Sequence, residues 1–393
     1  MRVLMLSKAC VVGQYQTKLE ELAKQSDLEL TVVVPPFWRD ERGVLKLERT
    51  HTQGYTLLVE PMALNGQFHL HFYPTLRQIL ARVRPHIVHI DEEPYNLATF
   101  LALRAARRVN AKSVFFTWQN LLRRYPPPFA WFEAYAFQHS DYAIAGNVEA
   151  ENVLRAKGYR GHTRVIPQFG IDPDTFAPRP ITEPDNHPTT HPFRIGYAGR
   201  LVPEKGVDVL LRAAARLNGG WELGIVGSGP EKVRLQSRAR ELEIEERVRF
   251  DAPRPSVGMP GWYAQVDVVV QPSLTRTNWK EQFNRVLIEA MGCGVPVIAS
   301  DCGEMPNVVG DAGLIFREGD VDALRAHLAA LQGDLTRRAE LGKRGRARVL
   351  AHFTQAQIAA ETYRVYCSVI ASREAAKQSP PTSRGLLRKN RSQ

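Results

Sequence analysis

Short β-branched runs recur along this chain, separated by segments with a helical repeat, and the series occurs twice. In the first half the runs are Arg2 to Ser7, Glu29 to Pro35, Thr56 to Pro61, Ile87 to Asp91, Ser113 to Trp118 and Tyr142 to Gly146. Intervening stretches, such as the one after Tyr95, place apolar residues at three- and four-residue steps, the period of an amphipathic helix. Strand-helix alternation of this kind specifies a parallel sheet covered on both faces. The pattern breaks at 177–192, where prolines crowd and no periodicity survives, and resumes at Phe193 to Gly199. Further runs follow at Trp221 to Gly227, Val248 to Asp251, Val266 to Ser273, Val295 to Ser300 and Leu314 to Phe316. The expected class is α/β, with two doubly wound domains, 1–176 and 193–353, joined by a Pro-rich linker at 177–192. The cleft between them is the default site for a ligand.

Composition narrows the class further. With 393 residues, 44% of them hydrophobic, the chain can fill two cores and is neither fibrous nor disordered. Its longest apolar runs fall short of the ~20 residues of a membrane span, and Lys8 interrupts the first run before it reaches signal-peptide length. Cys10, Cys293, Cys302 and Cys367 form no C-x-x-C pair, so neither a disulfide framework nor a zinc site is expected, and a reducing, cytoplasmic compartment is. His69 and His71 have alternate spacing but no evident third ligand, which favours a structural role. Net charge is +11, and the segment 373–393 carries six cations against Glu374. It reads as a disordered basic tail, able to hold the chain peripherally at an anionic inner-membrane face. Zinc-finger spacing and RNA-recognition signatures are absent, so nucleic acid is not an expected partner. Oligomeric state leaves no mark.

Three segments carry chemistry. In the first, the strand ending at Gly199 runs into Arg200, Lys205 and Gly206 before an amphipathic helix. Two cations beside a helix N-terminus form an anion site, Arg as a fork and Lys as a movable point charge. The second, Gly227-Ser-Gly-Pro, is another strand-to-helix turn where backbone can approach a ligand. The third runs from Glu281 through Glu289 with a helix expected over 283–291. If both acids were helical they would lie about 80° apart, so Glu281 is better placed in the loop. It could accept hydrogen bonds from sugar hydroxyls while Glu289 takes a ribose diol and the N–H groups of Phe283, Asn284, Arg285 and Val286 face a pyrophosphate.

The ordered set of GRLVPEKG, GSGP, the Glu281-x7-Glu289 pair, EAMGCGVPVIAS and a Gly-Glu-x-Pro turn resembles glycosyltransferase family 4 over about 193–360, with a looser match before it. That resemblance implies the GT-B fold, two Rossmann-like domains facing each other across a cleft. It also implies retaining transfer from a nucleoside-diphosphate sugar, UDP- or GDP-linked, with no cofactor and no metal. Arg200 and Lys205 would then bind the pyrophosphate, Glu281 the transferred sugar and Glu289 the ribose. Gly13 would approach the phosphates from the first domain, with Gly199 and Gly227 at the donor from the second. A closing helix over 354–372 would cross back to the first domain. Two departures stand out: Asn284 occupies a position where the family commonly has glycine, and Thr117-Trp118-Gln119 replaces a Thr-x-His step. Glutamine cannot serve as a base near neutral pH, so a front-face reaction is expected, the leaving phosphate oxygen taking the acceptor proton. Glu92, Glu93, Gln119 and Asn120, in first-domain loops, are the candidates for a sugar, lipid or small-molecule acceptor. The alternatives are an epimerase or phosphorylase built on the same anion site, or a two-domain binding protein without catalysis.

Overall fold

The computed structural model of the chain describes residues 1–40, 43–178 and 191–378. The first sheet takes its strands from β1 (Arg2–Leu6), β2 (Glu29–Val34), β5 (Thr56–Val59), β6 (Ile87–Ile90), β7 (Lys112–Thr117), β8 (Tyr142–Ala145) and β9 (His162–Val165). They are all parallel, in the order β5-β2-β1-β6-β7-β8-β9. A separate antiparallel hairpin, β3 (Phe37–Asp40) and β4 (Gly43–Lys46), follows β2. The second sheet comprises β10 (Phe193–Ala198), β11 (Trp221–Val226), β12 (Val248–Asp251), β13 (Val268–Gln271), β14 (Val297–Ser300) and β15 (Leu314–Phe316). Its order is β12-β11-β10-β13-β14-β15, again parallel throughout.

Both faces of each sheet are buried, which is why the strands read as continuous apolar runs. In β1, Leu4 and Leu6 enter one core with Val88, Ile90 and Phe115, while Val3 and Met5 enter the opposite core with Val32 and Val114. That second core is closed by Ile358, Val365, Tyr366 and Val369 of the helix Gln355–Gln378, so the end of the chain covers the first sheet. Tyr366 Oη and the buried His89 Nδ1 lie 2.6 Å apart across this contact. The chain crosses between lobes at two adjacent points: the Ile171 N–H donates to the Phe353 carbonyl at 2.9 Å, and the Gln355 N–H to the Ile171 carbonyl at 3.0 Å.

Three features depart from the sequence expectation. β9 and the β3–β4 hairpin were not foreseen; the first is a half-exposed edge strand, His-Thr-Arg-Val, without an apolar run. Helix extends past 372 to Gln378, because Arg373 to Gln378 is composed of strong helix formers. The remaining tail and linker positions, 379–393 and 179–190, lie outside the described residues. No helix among the described residues is long and apolar enough to cross a membrane.

Candidate functional site

Ligands of open parallel sheets bind beyond the carboxyl ends of the strands, where successive crossovers diverge. That point falls between β1 and β6 in the first sheet and between β10 and β13 in the second. The loops leaving these four strands therefore border the crevice.

The loop after β10 is shaped by backbone contacts that leave no room for side chains. Gly206 has φ 65°, and a Cβ there would stand 1.9 Å from the Pro272 carbonyl oxygen. Glycine at this position lets the β10 loop lie directly on the β13 loop, and Leu274 N–H donates to the Glu204 carbonyl at 2.8 Å. The consequence is chemical: Lys205 Nζ reaches Glu281 Oε2 at 2.5 Å. Gly227 has the same kind of cause, since a Cβ there would lie 1.9 Å from the carbonyl oxygen of Gly199. These two glycines, expected at the donor, bring the second turn against the first, with Leu201 N–H donating to the Ser228 carbonyl at 2.8 Å.

Glu281 is buried and its Oε2 collects three donors: Lys205, the Ser273 hydroxyl at 3.0 Å and Asn284 Nδ2 at 3.2 Å. The Lys205 ammonium also sits 5.0 Å from the Trp279 ring centre. Arg200, half exposed, lies 3.6 Å from Glu204 and borders a cavity of about 710 Å³ walled mostly by the first lobe. Burial pushes the Tyr197 hydroxyl well above its ordinary pKa; Glu281 and Glu204 add to this and Arg200 opposes it. Lys205 and Glu281 thus meet directly, with Arg200 on the same loop as Lys205 and at the edge of the first-lobe cavity.

The helix Arg285–Gly292 begins two residues later than the sequence suggested, because Asn284 adopts φ 62°. Asparagine is among the few residues that tolerate this left-handed conformation, which explains how it occupies a glycine position. Its amide meets both Glu281 and Gln271 Oε1, the latter at 3.1 Å. Glu289 is buried and doubly engaged, accepting from Tyr263 Oη at 2.9 Å and pairing with Arg285 Nε at 2.9 Å. Burial raises its pKa against the opposing pull of Arg285 and Tyr263. A ribose diol would have to share these oxygens or displace Arg285. The Phe283 ring packs between the lobes, its centre 5.9 Å from that of Trp118 in the first lobe and 5.8 Å from that of Phe353. Val286 packs into the second core.

The first-lobe expectations need more correction. Gly13 N–H is taken by Glu48 Oε2 at 2.6 Å and the space on its Cβ side is filled by Thr50, so its neighbour Gln14, bonded to Arg285 Nη2 at 2.8 Å, makes the approach across the crevice. Glu92 is buried in an ion pair with Lys8, with His71 Nε2 at 3.4 Å. Burial would raise its pKa, but Lys8 and His71 hold it down at about 2. Glu93 accepts from the Thr117 hydroxyl at 2.6 Å and Trp118 N–H at 2.8 Å, and burial pushes it up to about 7. Both acids border the cavity; Glu93 has both oxygens engaged, whereas Glu92 pairs through Oε2 and leaves Oε1 without a partner. Gln119, expected to face the cleft, turns away, its amide donating to Glu133 at 3.2 Å and accepting from Lys157 at 2.9 Å. Asn120 does face the second lobe and donates to the Glu281 carbonyl at 3.2 Å. His69 lies tilted against Tyr95 and Phe129 while His71 faces Glu92, so the two imidazoles do not form a chelate. Among the described residues no group of three His, Cys, Asp or Glu is arranged to hold a metal.

Two family profiles match in tandem: Glycosyltransferase Family 4 over residues 16–175 and Glycosyl transferases group 1 over 180–348. The chain belongs to glycosyltransferase family 4. It is 38% identical over 189 residues to D-inositol 3-phosphate glycosyltransferase of Corynebacterium jeikeium, covering 43% of this chain and 44% of that protein. It is 35% identical over 187 residues to the GDP-mannose-dependent alpha-(1-6)-phosphatidylinositol monomannoside mannosyltransferase of Mycolicibacterium smegmatis, covering 45% and 49%. The chain spans about half the length of these curated relatives. Among solved structures, sucrose-phosphate synthase of Thermosynechococcus elongatus superposes with TM-score 0.71 at 19% identity, over 95% of this chain and 100% of that one. HepE of Anabaena in complex with UDP gives TM-score 0.71 at 19% identity, over 94% and 100%. The fold is GT-B.

Within this family 4 site, sequence reasoning missed Lys8, Ser273, Tyr263 and Asn147. Lys8 follows the first strand directly and lies 5.3 Å from the Trp38 ring centre and 4.9 Å from that of Phe68. Asn147 carried a usable signal, an N-cap residue between a strand and a helix, and its Oδ1 does accept from Ala150 N–H at 2.7 Å.

Proposed function

We propose that this chain transfers a sugar from a UDP- or GDP-linked donor to an acceptor hydroxyl, with retention of configuration and without a metal ion or cofactor. The observation that carries this reading is the 2.5 Å contact between Lys205 and Glu281 just before the Arg285–Gly292 helix, with Arg200 on the same loop as Lys205. A diphosphate entering there meets two cations and a helix N-terminus. Lys205 then exchanges its carboxylate partner for phosphate, which frees Glu281 Oε2 to accept hydrogen bonds from the sugar. As the bond from the anomeric carbon to the phosphate oxygen breaks, the acceptor oxygen bonds that carbon from the same face. The departing phosphate oxygen takes the acceptor proton. Arg200 and Lys205 stabilise the charge that develops on the diphosphate.

The acceptor would occupy the 710 Å³ cavity beside Lys8, Trp38, Phe68 and Trp118. Relatives named for inositol phosphate and phosphatidylinositol mannoside acceptors support a sugar-like or lipid-linked alcohol. The basic residues after Ala371 suit peripheral attachment at the cytoplasmic face of an anionic membrane. The test supplies purified protein with UDP- and GDP-sugars and a panel of polyol and lipid alcohols. Free nucleoside diphosphate should form in step with an α- or β-linked product whose configuration matches the donor. Lys205→Ala and Arg200→Ala should each lower turnover by ~10²-fold. Turnover within twofold of the parent in both variants refutes the assignment.

A further inference from the structure

The loop that presents Glu281 is held from both lobes: in its own lobe Glu304 N–H donates to the Glu281 carbonyl at 3.1 Å, and further contacts come from the first lobe. Residues 278–284 form no helix or strand beyond an isolated bridge, yet successive carbonyls are captured by first-lobe amides. Asn120 Nδ2 donates to the Glu281 carbonyl at 3.2 Å and Asn147 Nδ2 to the Gln282 carbonyl at 2.7 Å. Gln282 Nε2 returns a bond to the Trp118 carbonyl at 2.9 Å, and Lys280 pairs with Glu149 at 2.8 Å. Both asparagines are buried. Asn147 does two jobs with one amide: its oxygen caps the helix Val148–Ala156 and its nitrogen reaches across the crevice.

We propose that Asn120 and Asn147 are positioning residues that set the sugar-holding carboxylate from the opposite lobe, so that Glu281 reaches its working position only when the lobes are closed. This rests on the reading of Glu281 as the group that holds the transferred sugar. Arg200 and Lys205 belong to the second lobe, so an open molecule binds the diphosphate without fixing the sugar. Closure supplies the last contact, which ties bond breaking to the presence of the lobe that carries the acceptor.

Asn147→Asp separates the two jobs, because aspartate caps a helix as well as asparagine does but cannot donate to Gln282. Asn120→Ala removes the other bond. The ligand-free parent and variants are compared by small-angle X-ray scattering, the variants are titrated with UDP and GDP by calorimetry, and donor turnover is measured. The expected result is a larger radius of gyration in the double variant and diphosphate affinity within about threefold of the parent. Each substitution should lower kcat by roughly tenfold, the scale of one interlobe hydrogen bond, with little change in KM for the donor. A double variant as compact as the parent overturns the clasp, and this readout stands even if no nucleotide sugar is turned over, the result that would sink the functional reading alone. Variants that open but keep the parent kcat overturn the positioning role.

Discussion

Replacing Asn284 pulls apart two contributions of one residue. Its backbone sits at φ 62°, and its side-chain amide donates to Glu281 Oε2 at 3.2 Å. A left-handed conformation costs a residue bearing a Cβ about 1–2 kcal/mol, and glycine much less. A hydrogen bond to a charged group is worth about 1.5–3 kcal/mol, and the lower end applies because Lys205 and Ser273 serve the same oxygen. Asn284→Ala loses the amide and puts on the same backbone a residue that tolerates positive φ less well than asparagine, so destabilisation of about 2–3 kcal/mol is expected. Asn284→Gly loses the amide but sits comfortably at positive φ, and should be more stable than the alanine variant by about 1 kcal/mol. For a lobe of this size that difference is roughly 2–4 °C in melting temperature, readable by calorimetry. Activity should not follow the same order: both variants release Glu281 from its amide, so both should lose about tenfold in kcat. An alanine variant as stable as the glycine variant refutes the backbone argument. A glycine variant with kcat at or above the parent's refutes the role of the amide.

Gly206→Ala should disturb the site at its base: the new Cβ would meet the Pro272 carbonyl oxygen at 1.9 Å from a backbone at positive φ, so a loss of about 2 kcal/mol or more is expected. Because the β10 loop must lift, UDP and GDP affinity measured by calorimetry should fall by roughly tenfold, and unchanged affinity would show that Lys205 does not depend on this contact. Glu93 should leave a signature in pH dependence. Its carboxyl is raised from 4.5 to about 7, so across that window the folded chain keeps a proton the unfolded chain has lost, and its contribution to stability falls as pH rises. His89, lowered from 6.5 to about 4 by burial, acts oppositely, its contribution being lost as pH falls through that range. Glu93→Gln removes the first effect and leaves the second, so the variant's urea midpoint should drop more steeply than the parent's between pH 6.5 and 4.5; parallel curves would refute the assignment.

What could be read from the sequence follows from which interactions are local. Parallel strands buried on both faces announce themselves as apolar runs, so the twelve runs noted in the chain all recur as sheet strands, their ends differing by no more than two residues. The strand-to-helix turn that carries Arg200, Lys205 and Gly206 was equally legible, because the three are near neighbours and the loop that joins them is short. Contacts made across the crevice left no such trace. Gln119 and Asn120 are adjacent and both amides, yet one turns to Glu133 and Lys157 while the other bridges to Glu281, a division set by packing of segments up to 161 positions apart. Glu92 and Glu93 likewise looked alike, but Lys8 holds one carboxyl down at about 2 while burial lifts the other to about 7. A lone acid in a loop after a strand has no local feature that distinguishes these fates. The distinction comes from what the neighbouring strand's loop delivers: β1 brings a lysine to Glu92, and β7 brings a hydroxyl and an N–H to Glu93. Sheet order therefore decides the chemistry of these two acids, and periodicity does not encode strand order.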